Sequence, residues 1–204
     1  MKTKETYHHG DLRQNILEEA LSWIEKESIF SLSLRGIARR IGVSHNAPYR
    51  HFPDKESLLV AIAETGFKRL HQTLEYASQN SPNDDKKRVE NIGIAYIEYA
   101  VKNQAYYRVM FGDLKLEDRK YPALEQTSQK AFNVLFYAIK AGKKNQVFIA
   151  EDSLKLAHIC WSLVHGVSML VIDGQLTTSD SNSILELART ATKTLSEGFV
   201  RDRL

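Results

Sequence analysis

The sequence predicts an all-α protein: an N-terminal three-helix helix-turn-helix unit joined by a long fourth helix to a C-terminal helical bundle. Apolar residues recur three and four apart along most of the chain, and no stretch sustains the period-two alternation of a half-buried strand. Hydroxyl and carboxylate residues stand where the periodic runs begin, with Gly or Pro where several of them stop.

Asp11 is placed to cap a first helix with Gln14 reaching back, which puts Ile16, Leu17, Ala20, Leu21 and Ile24 on one face. Ser33 caps a short second helix carrying Leu34, Ile37, Ala38 and Ile41, and Gly42 follows where a left-handed residue ends a helix. A third helix is expected to start at Ser44 or Asn46 and to end near Phe52-Pro53. Pro48 favours a start near Asn46, because proline is tolerated only in a first helical turn. Asp54 then caps a long fourth helix with Leu59, Ile62, Ala63, Phe67, Leu70, Leu74 and Ala77 as its stripe. Residues 78–88 are polar, contain Pro82 and lack any apolar side chain, so the division falls there: 1–78 and 79–204. Beyond it, helical runs are expected over 89–102, 104–111, 121 to about 141, about 153–172 and 183–200.

With 204 residues, 43% hydrophobic and 26% charged, the chain is long enough for one or two ordinary globular domains. Net charge is only +3, yet Arg35, Arg39, Arg40, Arg50 and Lys55 face Asp54 alone between 33 and 55, five cations against one acid, a local +4. An anionic partner is expected at that segment. A lone cysteine, Cys160, forms no intrachain disulfide, and the cytoplasm is the expected location. The apolar run 159–172 falls short of the roughly 20 residues of a spanning helix, and the first ten residues lack a signal-peptide core, so no membrane partner is expected.

Ala38, Gly42 and Val43 have the grammar of a helix-turn-helix over about 33–52: a small residue at the crossing, a glycine at the sharp turn, an apolar plug between the helices. An ordinary helical corner is the alternative. The flanking pattern is Ile-Ala-x-x-x-Gly-Val-Ser from Ile37, then Tyr49-Arg-His-Phe52, then Lys55-Glu-x-Leu-Leu59. In these residues the chain resembles the DNA-binding domain of the TetR family of bacterial transcriptional regulators. Tyr7 to Arg13 also resembles the start of the first helix in one subgroup. The resemblance implies phosphate-clamping positions at Tyr49, His51 and Lys55. Ser33 and Ser44 open helix N-termini that suit phosphate, with Arg35 beside the first. Base reading falls to His45, Asn46, Ala47 and Arg50, since recognition helices meet the major groove with their N-terminal residues, with phosphate binding the alternative for Arg50. Pro48 departs from the larger apolar residue usual in the family. Lys2, Lys4, His8 and His9 form either a DNA-reaching arm or a frayed terminus.

In the second half, Tyr106-Tyr-Arg-Val-Met-Phe-Gly112 and Trp161-Ser-Leu-Val-His-Gly166 resemble a TetR subgroup marked by a Trp-x-x-x-His-Gly pattern. That resemblance implies a small-molecule site and dimerisation through the last two helices. Tyr99, Tyr106, Met110, Phe111, Phe132, Phe136, Trp161, His165 and Met169 are the candidate lining, with His165 as polar anchor. Simple core packing is the alternative for each. Gly166 costs about 1 kcal/mol in a helix relative to alanine, which a close helix approach would explain.

No nucleophile elbow, phosphate loop, dinucleotide fingerprint or zinc motif occurs. His158 and His165 lie roughly 10 Å apart by helical rise, too far to share a metal ion. No catalytic residue, cofactor or metal is expected. The expected function is a ligand-responsive, sequence-specific transcriptional regulator: a homodimeric repressor that leaves a pseudo-palindromic double-stranded operator when a small-molecule effector binds. The rivals are a small-molecule-binding or enzymatic bundle without regulatory DNA binding, and an architectural DNA-binding protein without ligand.

Overall fold

In the computed structural model, helix α1 spans His9–Lys26 and starts two residues ahead of Asp11, which therefore lies inside the first turn instead of capping it. Gln14 does not reach back: its amide donates forward to Glu18 Oε1 at 2.8 Å. The structure describes residues 9–81, 83–112, 121–176 and 180–200. Lys2, Lys4, His8 and Pro82 lie outside them.

Helix α2, Leu34–Arg40, begins as expected, with Ser33 Oγ accepting the Gly36 N–H at 3.1 Å. It ends at Gly42, which has φ +73°, while the Val43 N–H bonds the Ala38 carbonyl at 3.0 Å. This six-to-one bond closes the helix in the manner only a left-handed residue permits. A tight crossing of α2 over α1 is made at Gly36, where a Cβ would lie 2.6 Å from the Trp23 ring, and Ala38 is buried on the same helix.

The expected third helix is corrected to a single 3-10 turn, Pro48–Arg50, led in by turns over 45–47, and neither Ser44 nor Asn46 caps it. Pro48 has no N–H to give the Ser44 carbonyl, which takes the Ala47 N–H instead at 2.9 Å. Pro53 follows five residues later, so no room remains for a second turn. Asp54 and Ser57 then make a reciprocal capping box at the head of α3, Lys55–Gln79.

Helix α4, Asp85–Lys102, starts four residues earlier than the apolar pattern because Asp84 caps it. Helices α5 (Gln104–Phe111), α6 (Pro122–Lys144), α7 (Ser153–Ile172) and α8 (Ser181–Phe199) complete the bundle, making eight α-helices among the described residues. Helix α3 packs along α4, α5 and α6, and α1 rests on α5. One buried apolar cluster runs from Leu12 to Phe199, so the core is continuous across residues 78–79. At the far end the Ile149 N–H bonds the Phe199 carbonyl, and the Phe148 and Phe199 rings meet edge-on, tying the α6–α7 connection to the end of α8.

Helix α7 corrects one length estimate. The apolar run extends back to an Asp152 cap, so this 20-residue helix is long and apolar enough to cross a bilayer, and only 33% of its most apolar window is buried in the chain.

Candidate functional site

The first site is the surface of the helix-turn-helix. Ser44, His45, Asn46, Tyr49 and Arg50 are exposed on the turn, Ala47 and His51 are half-buried, and Pro48 is buried beneath them. Tyr49 is 42% exposed, a large exposure for an aromatic side chain. Ser33 and Arg35 are exposed at the start of α2.

The local cations divide into two sets. Arg40 lies over the Trp23 ring, 3.6 Å from its centre, and pairs with Glu19 and Glu27, so its charge is largely internal business of α1 and α2. Lys55 donates to the Ile29 carbonyl at 2.7 Å and the Phe30 carbonyl at 3.1 Å, and partial burial pushes its pKa down. It closes the 3-10 turn Ile29–Ser31 and keeps one ammonium proton for another acceptor. Arg35, Arg39 and Arg50 are exposed and form no ion pair among the described residues.

The second site is a half-open cavity of about 620 Å³ lined by α3 to α8. Its size is that of a small-molecule pocket. Met110, Phe111, Phe132 and Trp161 line it as expected from the sequence. Five other candidates do not. Tyr99 is buried, with its hydroxyl donating to the Gly66 carbonyl at 2.7 Å, and Tyr106 lies under the Arg69 guanidinium at 4.8 Å. Phe136 is one turn past Phe132 and packs on Tyr137, while Met169, one turn past His165, packs against the core outside the cavity.

His165 stands behind the wall. Its Nδ1 is 2.6 Å from the Tyr107 hydroxyl and 3.3 Å from that of Tyr96, which is 2.9 Å from Tyr107 and accepts the Trp161 indole N–H at 3.1 Å. Burial pushes the Tyr96 phenol up to about 12, raises that of Tyr107 as well, and lowers the His165 pKa. All three rings are therefore neutral at pH 7, and His165 orients Trp161 through Tyr96 rather than touching a cavity occupant.

Sequence reasoning missed the hydroxyl and amide part of the lining, Ser128, Gln129, Thr192 and Ser196, which lies beside Tyr96 and His158. The signal was faint. Thr192 and Ser196 sit four apart among the apolar positions of α8, where small hydroxyls pass for core filler. Behind Ser196 lies Glu90, 3% exposed, which accepts the Ser196 hydroxyl at 2.6 Å and the Lys87 ammonium at 2.7 Å. Burial alone would raise the Glu90 pKa, but the bonds from Lys87 and Ser196 outweigh it and hold the carboxyl below its usual range. Glu90 is thus an ion pair with Lys87, buried at one wall.

No group of three metal-ligating side chains occurs among the described residues. The helix-turn-helix is followed directly by α3, a helix that also walls the apolar cavity. The chain belongs to the TetR family: residues 16–62 match the bacterial regulatory proteins of the tetR family, and residues 89–194 match the tetracyclin repressor-like C-terminal domain. Members of this family are regulators rather than enzymes. The chain is similar to the nucleoid occlusion factor SlmA of Aliivibrio fischeri, 31% identical over 105 residues that cover 49% of this chain and 51% of that protein. It spans about half the length of the curated relatives it matches. Among solved structures, it is similar to a Rhodococcus sp. RHA1 protein of unknown function, 28% identical with a TM-score of 0.83, covering 97% of this chain and all (100%) of that one. A tetR-family regulatory protein from Rhodococcus RHA1 shares the fold at 23% identity and TM-score 0.78, covering 96% and 100% of the two chains.

Proposed function

We propose that this protein is a homodimeric, cytoplasmic repressor that holds a pseudo-palindromic operator with two copies of its helix-turn-helix and leaves it when a small molecule fills the cavity. The supporting observation is the continuity of α3. Its first turn carries Lys55 beside the DNA-facing surface, and Phe67, Leu70 and Leu74 of the same helix wall the cavity, starting roughly 18 Å along the helix at 1.5 Å per residue. An occupant that displaces those side chains tilts the helix that carries the turn. In this reading Ser33, Arg35, Ser44, Tyr49, His51 and Lys55 hold phosphates, His45, Asn46, Ala47 and Arg50 face bases, and residues 1–78 and 79–204 divide the work although they share a core.

Dimerisation through α7 and α8 is supported by what those helices leave uncovered. Leu154, Ile159 and Leu170 are 46%, 46% and 45% exposed on α7. The close approach expected at Gly166 is not made among the described residues: a Cβ on Gly166, or on Gly198 of α8, has nothing within 4 Å of it there. A second copy packed there gives both glycines a reason. The Trp-x-x-x-His-Gly subgroup is read here as a matched pair of roles, Trp161 and His165 setting one cavity wall and Gly166 the dimer surface.

Selection of bound duplexes from random DNA, followed by footprinting and size measurement, tests the reading. A two-fold symmetric site occupied by a protein dimer is the expected result. A monomer at micromolar protein with and without DNA, or binding with no sequence preference, overturns it.

A further inference from the structure

The hydrogen-bonding polarity of the cavity is one-sided. Ser196 has one proton, and both groups in its reach are acceptors, Glu90 Oε1 at 2.6 Å and the Lys193 carbonyl at 2.9 Å. The Glu90 bond is charge-assisted, the stronger kind, so turning that proton toward an occupant would strip a buried carboxylate of a partner. The Thr192 hydroxyl donates to the Ala188 carbonyl at 2.9 Å, and the Ser128 hydroxyl to that of Glu125 at 2.9 Å. The Trp161 N–H is held by Tyr96. What these groups have left to offer is oxygen lone pairs. The Tyr96 hydroxyl has the Tyr107 oxygen at 2.9 Å and His165 Nδ1 at 3.3 Å for its own proton, the other strong donors of the lining, Gln129 and His158, belong to exposed residues, and among the described residues no Lys or Arg lines the cavity.

We infer that the cavity selects an uncharged, mainly apolar molecule that brings its own hydrogen-bond donor, of the alcohol or phenol class, to the Ser196 oxygen, and rejects carboxylates. This rests on the cavity being the effector site. An anion entering here loses its water and finds neither a cation nor a spare proton in the depth of the site. An ether or ester of the same skeleton meets Ser196 with lone pair against lone pair. A hydroxyl replaces its lost water bond in full, which is worth about tenfold in affinity over the donor-free analogue.

A matched series of 4-hexylphenol, 4-hexylanisole and 4-hexylbenzoate, titrated calorimetrically into the full-length protein, provides the test. The phenol is expected to bind about tenfold tighter than the anisole, with the benzoate no better than the anisole. Glu90→Gln supplies Ser196 with a donor, frees its proton toward the cavity and should bring phenol and anisole within threefold. Ser196→Ala should do the same by removing the acceptor, and the wild-type ratio stands as a measurement should either variant fail to fold. Anisole or benzoate binding as tightly as the phenol to wild type, or no phenol binding at millimolar concentration, overturns the inference. Release of a selected DNA duplex is scored separately: phenol binding in the stated order without release leaves the ligand class standing and overturns the effector reading.

Discussion

The Tyr107 hydroxyl lies 2.6 Å from Nδ1 of His165, a bond that fastens α5 to α7 behind the cavity wall. His165 is therefore a strut, and its chemistry shows in stability before it shows in binding. Because burial depresses its pKa below the usual 6.5, the unfolded chain takes up a proton that the folded chain refuses. The stabilising contribution is complete above pH 6.5 and is lost as pH falls below it. His165→Gln should lower stability by about 1–3 kcal/mol at pH 7.5, since Tyr107 loses the nearer of its two partners, leaving Tyr96. The loss should shrink toward pH 5, and thermal melts of both proteins at several pH values test this. A constant difference across the range contradicts it.

Lys55 is also partly structural, and this separates it from Tyr49. Lys55→Met should weaken binding to all duplexes and also reduce stability by about 1 kcal/mol or more, because the carbonyls of Ile29 and Phe30 lose their donor. Tyr49→Phe should weaken DNA binding with no change in the melting temperature, its exposed hydroxyl forming no hydrogen bond among the described residues. Paired melting and salt-titration experiments read both, with the lysine change lowering the salt slope by about one ion.

Asn46 and His45 lie exposed ahead of the turn, and Asn46→Ala or His45→Ala should change which duplexes are selected more than how tightly duplexes bind in general. Sequencing the selected pools measures this. Identical pools from wild type and both variants would remove these residues from base reading.

Gly166→Leu should leave the monomer folded, since open space lies beside the glycine, while raising the dimer dissociation constant by tenfold or more. Gly166→Ala should raise the monomer's helix stability by about 1 kcal/mol in the absence of contacts. Sedimentation over a concentration series decides, and an undisturbed dimer in the leucine variant would place the interface elsewhere.

The legible parts of the sequence were those set by local chemistry. Ser33, Gly42 and Asp54 mark helix ends because each satisfies backbone groups within three residues of itself, and the structure places them so. The recognition element was misjudged where two local rules met: Ser44 offers a cap, but Pro48 has no N–H for the Ser44 carbonyl, the bond that would open a helix capped there. The cavity was harder still. Periodicity names the inward faces of α4 to α8 without saying which inward residues meet one another and which meet a void. Tyr99 and Tyr96, three apart on one helix, look alike in sequence, yet one is pinned to Gly66 and the other walls the cavity. Glu90 was invisible because a buried carboxylate on a charged helix start reads as surface until Ser196, 106 residues away, is set against it.

Helix α3 behaves as a rigid arm with its fulcrum in the bundle and its tip at the recognition turn. Over the roughly 18 Å between Phe67 and Lys55, a tilt of about 10° moves the tip by roughly 3 Å, close to the rise of one base pair along a duplex. In the proposed dimer, two such arms swinging about its axis change the span between recognition turns by about twice that. Under the proposed function, a small displacement of Phe67 or Leu70 by an occupant is magnified at both turns, so ligand sensitivity is set by gearing as much as by affinity.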